Sequence, residues 1–511
     1  MFKKINWLIV SILLLGVIYR LIISSNSNFI FNMDNARDMV DVREMVVLGK
    51  LRLIGQTTAI DGFFYGPAWY YILTIPFILS GGHPYASILL EILLWAFGGY
   101  FLLFLVNKYY GKLALTTVAV VWTASNFILL ASQYAFNPNP VIFLTPVFIY
   151  LLIEFLQSGR LIYSLAVWFL AGLFLHFEIT VGLFMPLVII LAILVTGKNL
   201  LFKKRNFWLG ILAFIITLIP QLLFELRHDF FLTKSLFAYK SDSHAGVKLD
   251  DLGVRFEDVK RSFYDTLLPT FENYKLYLNL ILIALPITMI AKFSKEKKLD
   301  RLTLISLLIF LVPFIGLLYL KVDLMRWHLN AAIVAGIILS GFVISYLYES
   351  SKLGKIVALV LTGMILIFSL QNIKDYLNAA KIGNQGNSIF RNELEVVDFI
   401  YKYVNGKNFK AYIYLPSVID YPYQYLFWWR GLNKYGYLPE DYAYLPNKPE
   451  YIKGKEKLDT GSHPKSSGLV FLIKESDQIG QRHLWENSFK SLELLDAKRI
   501  GSVEVEIRKD K

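Results

Sequence analysis

Residues 33–71, MDNARDMVDVREMVVLGKLRLIGQTTAIDGFFYGPAWYY, form a charged stretch between two apolar parts of the chain. Its acidic residues Asp34, Asp38 and Asp41 are three or four positions apart, so a helix here carries an acidic stripe. A salt-bridged helix at a membrane surface, with Arg37 as one of its cations, explains most of this pattern. Asp34 differs from the others because it directly follows the first apolar segment, where a carboxylate can face a cavity. We therefore predict Asp34 to be the chemical centre of this loop.

The composition identifies the surroundings of this loop. Of the 511 residues, 56% are hydrophobic and only 18% are charged. Near-uncharged runs of about 17 to 25 residues recur, which is the length that a helix needs to cross a hydrocarbon core of about 30 Å. The composition therefore predicts an integral membrane protein with one large helical domain.

The apolar runs predict eleven membrane-spanning segments. They cover residues 6–24, 85–106, 113–131, 138–157, 161–176, 180–197, 207–225, 276–292, 302–320, 326–348 and 355–371. A twelfth run, 67–80, is short and carries two prolines, which favours a re-entrant or interfacial helix. No internal repeat of the kind found in inverted-repeat transporters is evident.

The distribution of basic residues predicts the orientation. If segment 67–80 does not span and the N-terminus is cytoplasmic, nearly every loop rich in Lys and Arg lies inside, as the positive-inside rule requires. The outer loops then include 25–84, 131–140, 176–180 and 226–275. The last of these is long enough to close over a site. The whole region after about 372 is also extracytoplasmic.

The charge distribution and the cysteine content argue against nucleic-acid binding and against thiol chemistry. The net charge of +13 arises from short clusters between apolar runs, which indicates topology and contacts with membrane lipids rather than nucleic-acid binding. The chain has no cysteine, so disulfides and thiolate chemistry are both excluded. The basic, apolar N-terminus lacks a small-residue cleavage site and predicts an uncleaved signal anchor.

From about residue 372 the apolar runs shorten and the charge rises, so residues 372–511 predict a small soluble α/β domain. Residues 392–404 have the pattern of an amphipathic helix, and 411–416, 468–473 and 502–507 have the pattern of strands. The segment 421–444 is dense in Tyr and Trp. It fits either an aromatic packing surface at the membrane or a platform for stacking on sugar rings.

The outer ends of the apolar segments carry the remaining candidate site residues. Some of them have a structural explanation. A helix can end at Pro138, a polar side chain can pack at the membrane interface, and a long charged side chain can snorkel toward water. Lys321 and Arg326 stand out because they oppose the positive-inside bias on the outer face, and arginine offers a bidentate fork to a phosphate. The predicted substrate-binding residues are Arg37, Asp38, Tyr65, Tyr70, Asn137, His176, Glu178, Glu225, Arg227, Lys321, Arg326 and His328.

Neither a Walker A sequence nor a glycine-rich turn between a strand and a helix is evident, so the pattern does not predict nucleotide binding. Energy for a reaction on the outer face must then arrive with the substrate. A lipid-linked phosphate ester supplies it from within the bilayer.

The order of these features resembles that of the GT-C glycosyltransferases. Within them it is similar to the group of the protein O-mannosyltransferases and the lipid A aminoarabinose transferase, the glycosyltransferase family 39 type. MDNARD keeps Asp34, Ala36 and Arg37 of the acidic motif and has Asn35 where Glu is common. The resemblance covers roughly residues 1–350 and is as much architectural as residue by residue.

Two further elements carry the resemblance. GPAWYY, with Gly66 and Pro67, is similar to the proline–aromatic element, and DLMRWHLNAA, with Arg326, is similar to the arginine–aromatic element before a late span. Asn137 or Asn139 stands where the family often has a second acidic residue. No metal ligands are assigned on this basis, and a divalent metal stays an open option.

The resemblance implies a GT-C-like, all-α polytopic membrane domain over residues 1–371, followed by the extracytoplasmic α/β domain. It also implies an inverting transfer of sugar from a polyprenyl-phosphate-linked donor to an acceptor protein, lipid or glycan on the outer face. Asp34 would be the general base. A transporter or flippase of lipid-linked sugars is the alternative, although it predicts ionisable groups near midspan, where Glu91 is the main example. A non-catalytic scaffold would leave the Asp34 loop unexplained.

Overall fold

The computed structural model describes residues 6–58, 62–238, 252–320, 323–382, 386–415, 419–446, 455–478 and 480–509. Helices dominate the first three quarters of the chain, and a five-stranded sheet is confined to the C-terminal part. In chain order, the helices before this sheet are α1 (Trp7–Ile23), α2 (Met33–Leu48), α3 (Ala68–Ser80), α4 (Tyr85–Ala124), α5 (Asn126–Ala131), α6 (Asn139–Ser158), α7 (Leu161–Phe177), α8 (Ile179–Val195), α9 (Arg205–Thr217), α10 (Ile219–Arg227), α11 (Phe231–Ala238), α12 (Leu252–Leu267), α13 (Lys275–Glu296), α14 (Arg301–Tyr319), α15 (Asn330–Ser350) and α16 (Lys352–Ile382).

Each of the eleven predicted apolar segments falls on apolar helix. The predicted break between the second and third lies at Gly111, whose positive φ of 77° interrupts α4. Judged by length and composition, six of the helices in the described ranges can cross a membrane, or up to seven if α9 and α10, bent by 49°, form one span. Four shorter apolar helices are α1, α3, α7 and α8. The predicted outer loop 226–275 is helical in α11 and α12.

The chain divides into two compact units. The first contains the residues up to Arg20, Arg52–Trp69 and Glu91–Tyr376. In it α7 contacts α6, α8 and α9, and α14 contacts α8 and α15. Small residues permit these close contacts, since a Cβ at Gly172 would stand 2.2 Å from the Thr217 hydroxyl oxygen and one at Gly210 would stand 2.3 Å from the Trp168 ring. Packing through small residues is typical of helices in a membrane.

A buried arginine fixes α1 within this first unit. The guanidinium of Arg20 donates to the Ser132 hydroxyl at 2.7 Å and to the Thr123 carbonyl at 3.0 Å. It also lies 3.6 Å from the centroid of the Trp95 ring. These contacts satisfy a cation that would otherwise be costly to bury.

The second unit contains Leu21–Leu51, Tyr70–Leu90 and Leu377–Lys511. Its C-terminal elements are α17 (Phe390–Val404), β1 (Asn408–Tyr414), α18 (Tyr421–Leu426), a π-helical segment (Phe427–Tyr435), β2 (Asp441–Ala443), β3 (Ser466–Lys474), α19 (Arg482–Asn487), β4 (Glu493–Ile500) and β5 (Val503–Lys509). The strand order is β2-β1-β3-β5-β4. Strand β1 is parallel to both β2 and β3, whereas β5 is antiparallel to β3 and β4.

The amphipathic helix and the three strands that the sequence predicted in this region are confirmed as α17, β1, β3 and β5. The aromatic segment 421–444 is mainly a packing surface, because Tyr423, Tyr425 and Trp429 are buried. Tyr425 donates its hydroxyl to the Gly82 carbonyl, and the Trp429 ring nitrogen donates to Gly81 at 3.1 Å. These two bonds tie the C-terminal elements to the turn between α3 and α4.

Candidate active site

Helix α2 presents Asp34 in its first turn. The Asn32 side chain caps the helix by accepting a hydrogen bond from the Asp34 amide at 3.1 Å, and Gly49 ends it in the left-handed conformation with φ of 65°. The acidic loop helix predicted from the spacing is therefore present. Because Asp34 sits at the N-terminus, the helix dipole favours its negative charge.

Arg37 joins two carboxylates on the same helix. It donates to Asp34 at 3.2 Å, and two of its nitrogens donate to one oxygen of Asp38 at 3.0 and 3.1 Å. The Asp38 side chain is fully buried, whereas 30% of the Asp34 side chain is exposed. Burial disfavours the charged guanidinium, yet the carboxylate of Asp38 raises the pKa of Arg37 above its ordinary value. Arg37 thus pairs with both carboxylates, and of the two side chains Asp34 is the one with an exposed part.

Further along α2, the other charged residues have packing roles. Asp41 accepts the Tyr70 hydroxyl at 2.7 Å, and Glu44 pairs with Lys50 at 3.3 Å. Arg43 is buried and lies 5.2 Å from the centroid of the Trp428 ring. This buried arginine was not predicted, because the sequence places it beside Glu44 on a helix expected at a surface.

In the first unit, a short antiparallel pairing brings Tyr65 to Glu178. Thr57 and Phe64 form a β-bridge, and the Tyr65 amide donates to the Gln56 carbonyl at 2.9 Å. The Tyr65 hydroxyl then donates to one carboxylate oxygen of Glu178 at 3.2 Å. The other oxygen of Glu178 accepts from the Thr180 amide at 3.1 Å and so caps α8.

His176 and Gly66 hold the GPAWYY element in place. The Nε2 atom of His176 lies 2.8 Å from the Thr217 carbonyl and must donate to it, so its Nδ1 atom is the acceptor for the Ala68 amide at 3.3 Å. A Cβ at residue 66 would stand 2.0 Å from that Nδ1 atom, so only glycine fits there. Both ring nitrogens of His176 are occupied, which favours a positioning role.

Asn137 and Glu225 make similar local contacts. Asn137 donates to the Phe177 carbonyl at 3.0 Å and fixes the end of α7. Glu225 accepts from the Leu232 amide at 2.7 Å and the Thr233 amide at 3.0 Å, which caps α11. The polar groups of Asn137 and Glu225 therefore bind backbone groups at the ends of helices.

Of the predicted phosphate-binding residues, Arg227 and Arg326 are exposed. Neither has a hydrogen-bond or ion-pair partner in the described ranges, so both guanidinium forks are available to an anion. His328 is half-buried, and its Nδ1 atom accepts from the Met325 amide at 3.3 Å. Lys321 lies outside the described residues.

The described residues contain no group of three His, Asp or Glu side chains suited to hold a metal ion. Among the predicted site residues in the described ranges, Asp34 is a partly exposed carboxylate, and Arg227 and Arg326 are exposed. A carboxylate of this kind can accept a proton from a hydroxyl group, and arginines of this kind can bind a phosphate.

Comparison with known proteins identifies the fold. No protein-family model matches the sequence, and no curated protein matches it. Among solved structures, ArnT from Cupriavidus metallidurans bound to undecaprenyl phosphate matches with a TM-score of 0.63 at 12% identity, over 99% of this chain and 98% of that chain. The apo state of the same protein gives 0.62 at 12% identity, over 98% and 97%.

The likeness extends over nearly the whole of both chains, whereas the sequence resemblance reached only to about residue 350. It confirms the predicted fold class, an all-α membrane domain with a small C-terminal α/β domain. The chain is thus a multi-pass membrane protein with the fold of ArnT, as its resemblance to the GT-C glycosyltransferases predicted.

Proposed function

We propose that this protein is a membrane glycosyltransferase that moves a sugar from a polyprenyl-phosphate-linked donor to an acceptor on the outer face of the membrane. The likeness to ArnT bound to undecaprenyl phosphate is the observation that carries this proposal. The partly exposed Asp34 carboxylate and the exposed Arg227 and Arg326 add the groups that such a reaction needs.

In the proposed reaction, an acceptor hydroxyl oxygen attacks the anomeric carbon of the donor from the side opposite the carrier phosphate. The new carbon–oxygen bond forms as the bond to the phosphate oxygen breaks, and the configuration inverts. Asp34 accepts the hydroxyl proton, and the electron pair of the broken bond leaves with the phosphate. Because phosphate is a stable leaving group, the step needs charge stabilisation rather than a strong acid.

The arginines are assigned to the phosphate. Arg326 and Arg227 present exposed guanidinium groups on the first unit, and Lys321 is assigned with them from the sequence. Arg37 has a different role in the proposal, since its bonds to Asp34 and Asp38 hold the base in one orientation. Removing a base of this kind typically costs about a hundredfold to ten-thousandfold in rate.

The substitution Asp34→Asn tests the proposal. Purified protein in detergent is assayed with a radiolabelled polyprenyl-phosphate sugar, so that transfer does not depend on a sealed compartment, as transport would. We expect transfer by Asp34→Asn to fall by about a hundredfold or more, because an amide cannot accept the proton. Product is quantified by scintillation counting after separation from the lipid donor.

Asp496→Asn is the matched control, because it removes an exposed carboxylate from β4 and should leave the rate unchanged. Transfer by Asp34→Asn at a rate near that of the unmodified protein would remove Asp34 from the role of base. If the unmodified protein transfers no lipid-linked sugar but moves it across sealed vesicles, the transporter alternative replaces this proposal. Mass spectrometry of glycans from cells with and without the protein identifies the acceptor.

A further inference from the structure

Gln56 is a buried polar side chain that the proposed reaction does not use. Only 2% of the residue is exposed. Among the residues that the structure describes, neither its amide nitrogen nor its amide oxygen has a hydrogen-bond partner. A buried carboxamide normally satisfies most of its hydrogen-bonding groups, so one that satisfies none requires an explanation.

The backbone register places Gln56 on the same face of its hairpin as Tyr65. The bridge between Thr57 and Phe64 makes Gln56 and Tyr65 the next opposing pair, and the Tyr65 amide donates to the Gln56 carbonyl. Successive side chains of a strand alternate between faces, so this pair projects to the face opposite Thr57 and Phe64. The Gln56 side chain therefore lies on the same face as the Tyr65 ring, whose hydroxyl bonds to Glu178.

A β-bulge fixes the position of Gln56 opposite Tyr65. The Gly55 amide also donates to the Tyr65 carbonyl, at 2.8 Å, so Gly55 and Gln56 together oppose the single residue Tyr65. A Cβ at Gly55 would stand 2.4 Å from the Gly66 carbonyl oxygen, which means that glycine is needed for the two strands to approach. Bulges of this kind re-aim side chains near functional sites.

The neighbouring groups indicate the type of ligand. Tyr65 and Glu178 already join a phenol to a carboxyl group at 3.2 Å. Gln56 adds one group that donates and one that accepts, which matches a hydroxyl group, since a hydroxyl both donates and accepts. Because the amide makes no hydrogen bond to any described residue, rotating it toward a ligand breaks none of those contacts.

We propose that Gln56 is a specificity-determining residue that binds a hydroxyl group of a sugar beside Tyr65 and Glu178. The proposal rests on the glycosyltransferase function proposed above. It specifies a sugar hydroxyl as the group that the first unit recognises. The hydroxyl belongs either to the transferred sugar or to a sugar of the acceptor. A site that hydrogen-bonds a hydroxyl discriminates strongly against the analogue that lacks it.

Gln56→Met tests the proposal, because it keeps the length of the side chain and removes both hydrogen-bonding groups. Two properties are measured on the full-length protein in detergent. They are the melting temperature and the ratio of kcat/KM for the natural sugar to kcat/KM for each deoxy analogue. Deoxy analogues of the donor form one arm and deoxy analogues of the acceptor form the other.

We expect Gln56→Met to keep or raise the melting temperature, because an unpaired buried amide is replaced by an apolar group of similar shape. The unmodified protein should prefer the natural sugar over one deoxy analogue by about tenfold or more. Gln56→Met should lose that preference. The arm in which the loss occurs shows whether the hydroxyl comes from the donor or the acceptor.

Gln133→Met is the matched control. Gln133 is also buried, but its amide nitrogen donates to the Arg20 carbonyl at 3.2 Å, so its loss should lower the melting temperature and leave the sugar preference unchanged. Unchanged preference in Gln56→Met, with transfer intact in the unmodified protein, would overturn this proposal alone. Absence of any lipid-linked transfer by the unmodified protein would overturn the glycosyltransferase function, and the Gln56 proposal with it.

Discussion

Glu178 combines burial with two hydrogen bonds at the turn between α7 and α8. Only 1% of the residue is exposed. Burial raises the pKa of Glu178 to about 7, although hydrogen bonds from Thr180 and Tyr65 favour its charged form. The neutral acid therefore persists in the folded protein at pH values where an exposed glutamate has lost its proton.

This predicts a pH-dependent stability that Glu178→Gln removes. Between pH 4.5 and about 7 the folded state binds a proton that the unfolded chain releases, so the free energy of unfolding falls as the pH rises through this window. The difference between 4.5 and about 7 corresponds to at most about 3 kcal/mol. We expect Glu178→Gln to become more stable relative to the unmodified protein as the pH rises from 5 to 8.

Melting temperatures in detergent across that range measure the effect. Glu395→Gln changes an exposed carboxylate that pairs with Arg391 and should follow the profile of the unmodified protein. Parallel profiles for Glu178→Gln and the unmodified protein would mean that Glu178 is charged when the protein is folded.

At the scale of the element, α2 depends on its N-terminal cap. The Asn32 side chain accepts a hydrogen bond from the backbone amide of Asp34, the residue proposed to act as base. We expect Asn32→Ala to lower the free energy of unfolding by about 1 kcal/mol, because it removes the cap. Transfer should also fall, because a frayed first turn no longer holds Asp34 beside Arg37.

The substitution Asn32→Asp supplies the control, since aspartate caps a helix as well as asparagine does. It should keep both the melting temperature and the transfer rate of the unmodified protein. Full activity of Asn32→Ala would indicate that the Arg37 ion pair alone positions Asp34. Melting curves and the radiolabelled transfer assay measure both properties on the same preparations.

The elements show where prediction from sequence succeeds. The apolar helices could be predicted because lipid leaves a polar backbone few alternatives, so the length of an apolar run nearly determines its structure. Strand β4 could not, because its residues are almost all exposed and lack alternation, and β2 has only three residues. Both are added to the sheet by pairing with strands that the sequence did predict.

The candidate site was predictable only in part. The helix that carries Asp34 followed from its spacing, whereas the burial of Arg20 and Gln56 did not. Arg20 is held by Ser132, 112 positions away, and such a contact leaves no local pattern. Gln56 depends on a bulge opposite Tyr65, which is set by the close approach of two glycines. Contacts of this kind arise from tertiary structure.

At the scale of the whole molecule, the predicted orientation depends on whether α3 crosses the membrane. The absence of cysteine allows a direct test, because a single introduced cysteine is the only target for a membrane-impermeant maleimide. Three exposed positions suit this test. Leu51 lies before α3, Ser351 lies in a predicted inner loop, and Ser491 lies in the C-terminal domain. Each is replaced by cysteine in turn.

In intact cells we expect Leu51→Cys and Ser491→Cys to be labelled, and Ser351→Cys to be labelled only after permeabilisation. The reason is that the basic residues Lys352 and Lys355 beside Ser351 favour the cytoplasmic side. Leu51→Cys is the positive control, because its loop is outside whether or not α3 spans. If α3 spans, every later loop inverts, so Ser351→Cys becomes accessible and Ser491→Cys becomes protected. That result would separate the Asp34 loop from the C-terminal domain by a bilayer and would contradict the outer-face reaction in which Arg326 binds the donor phosphate.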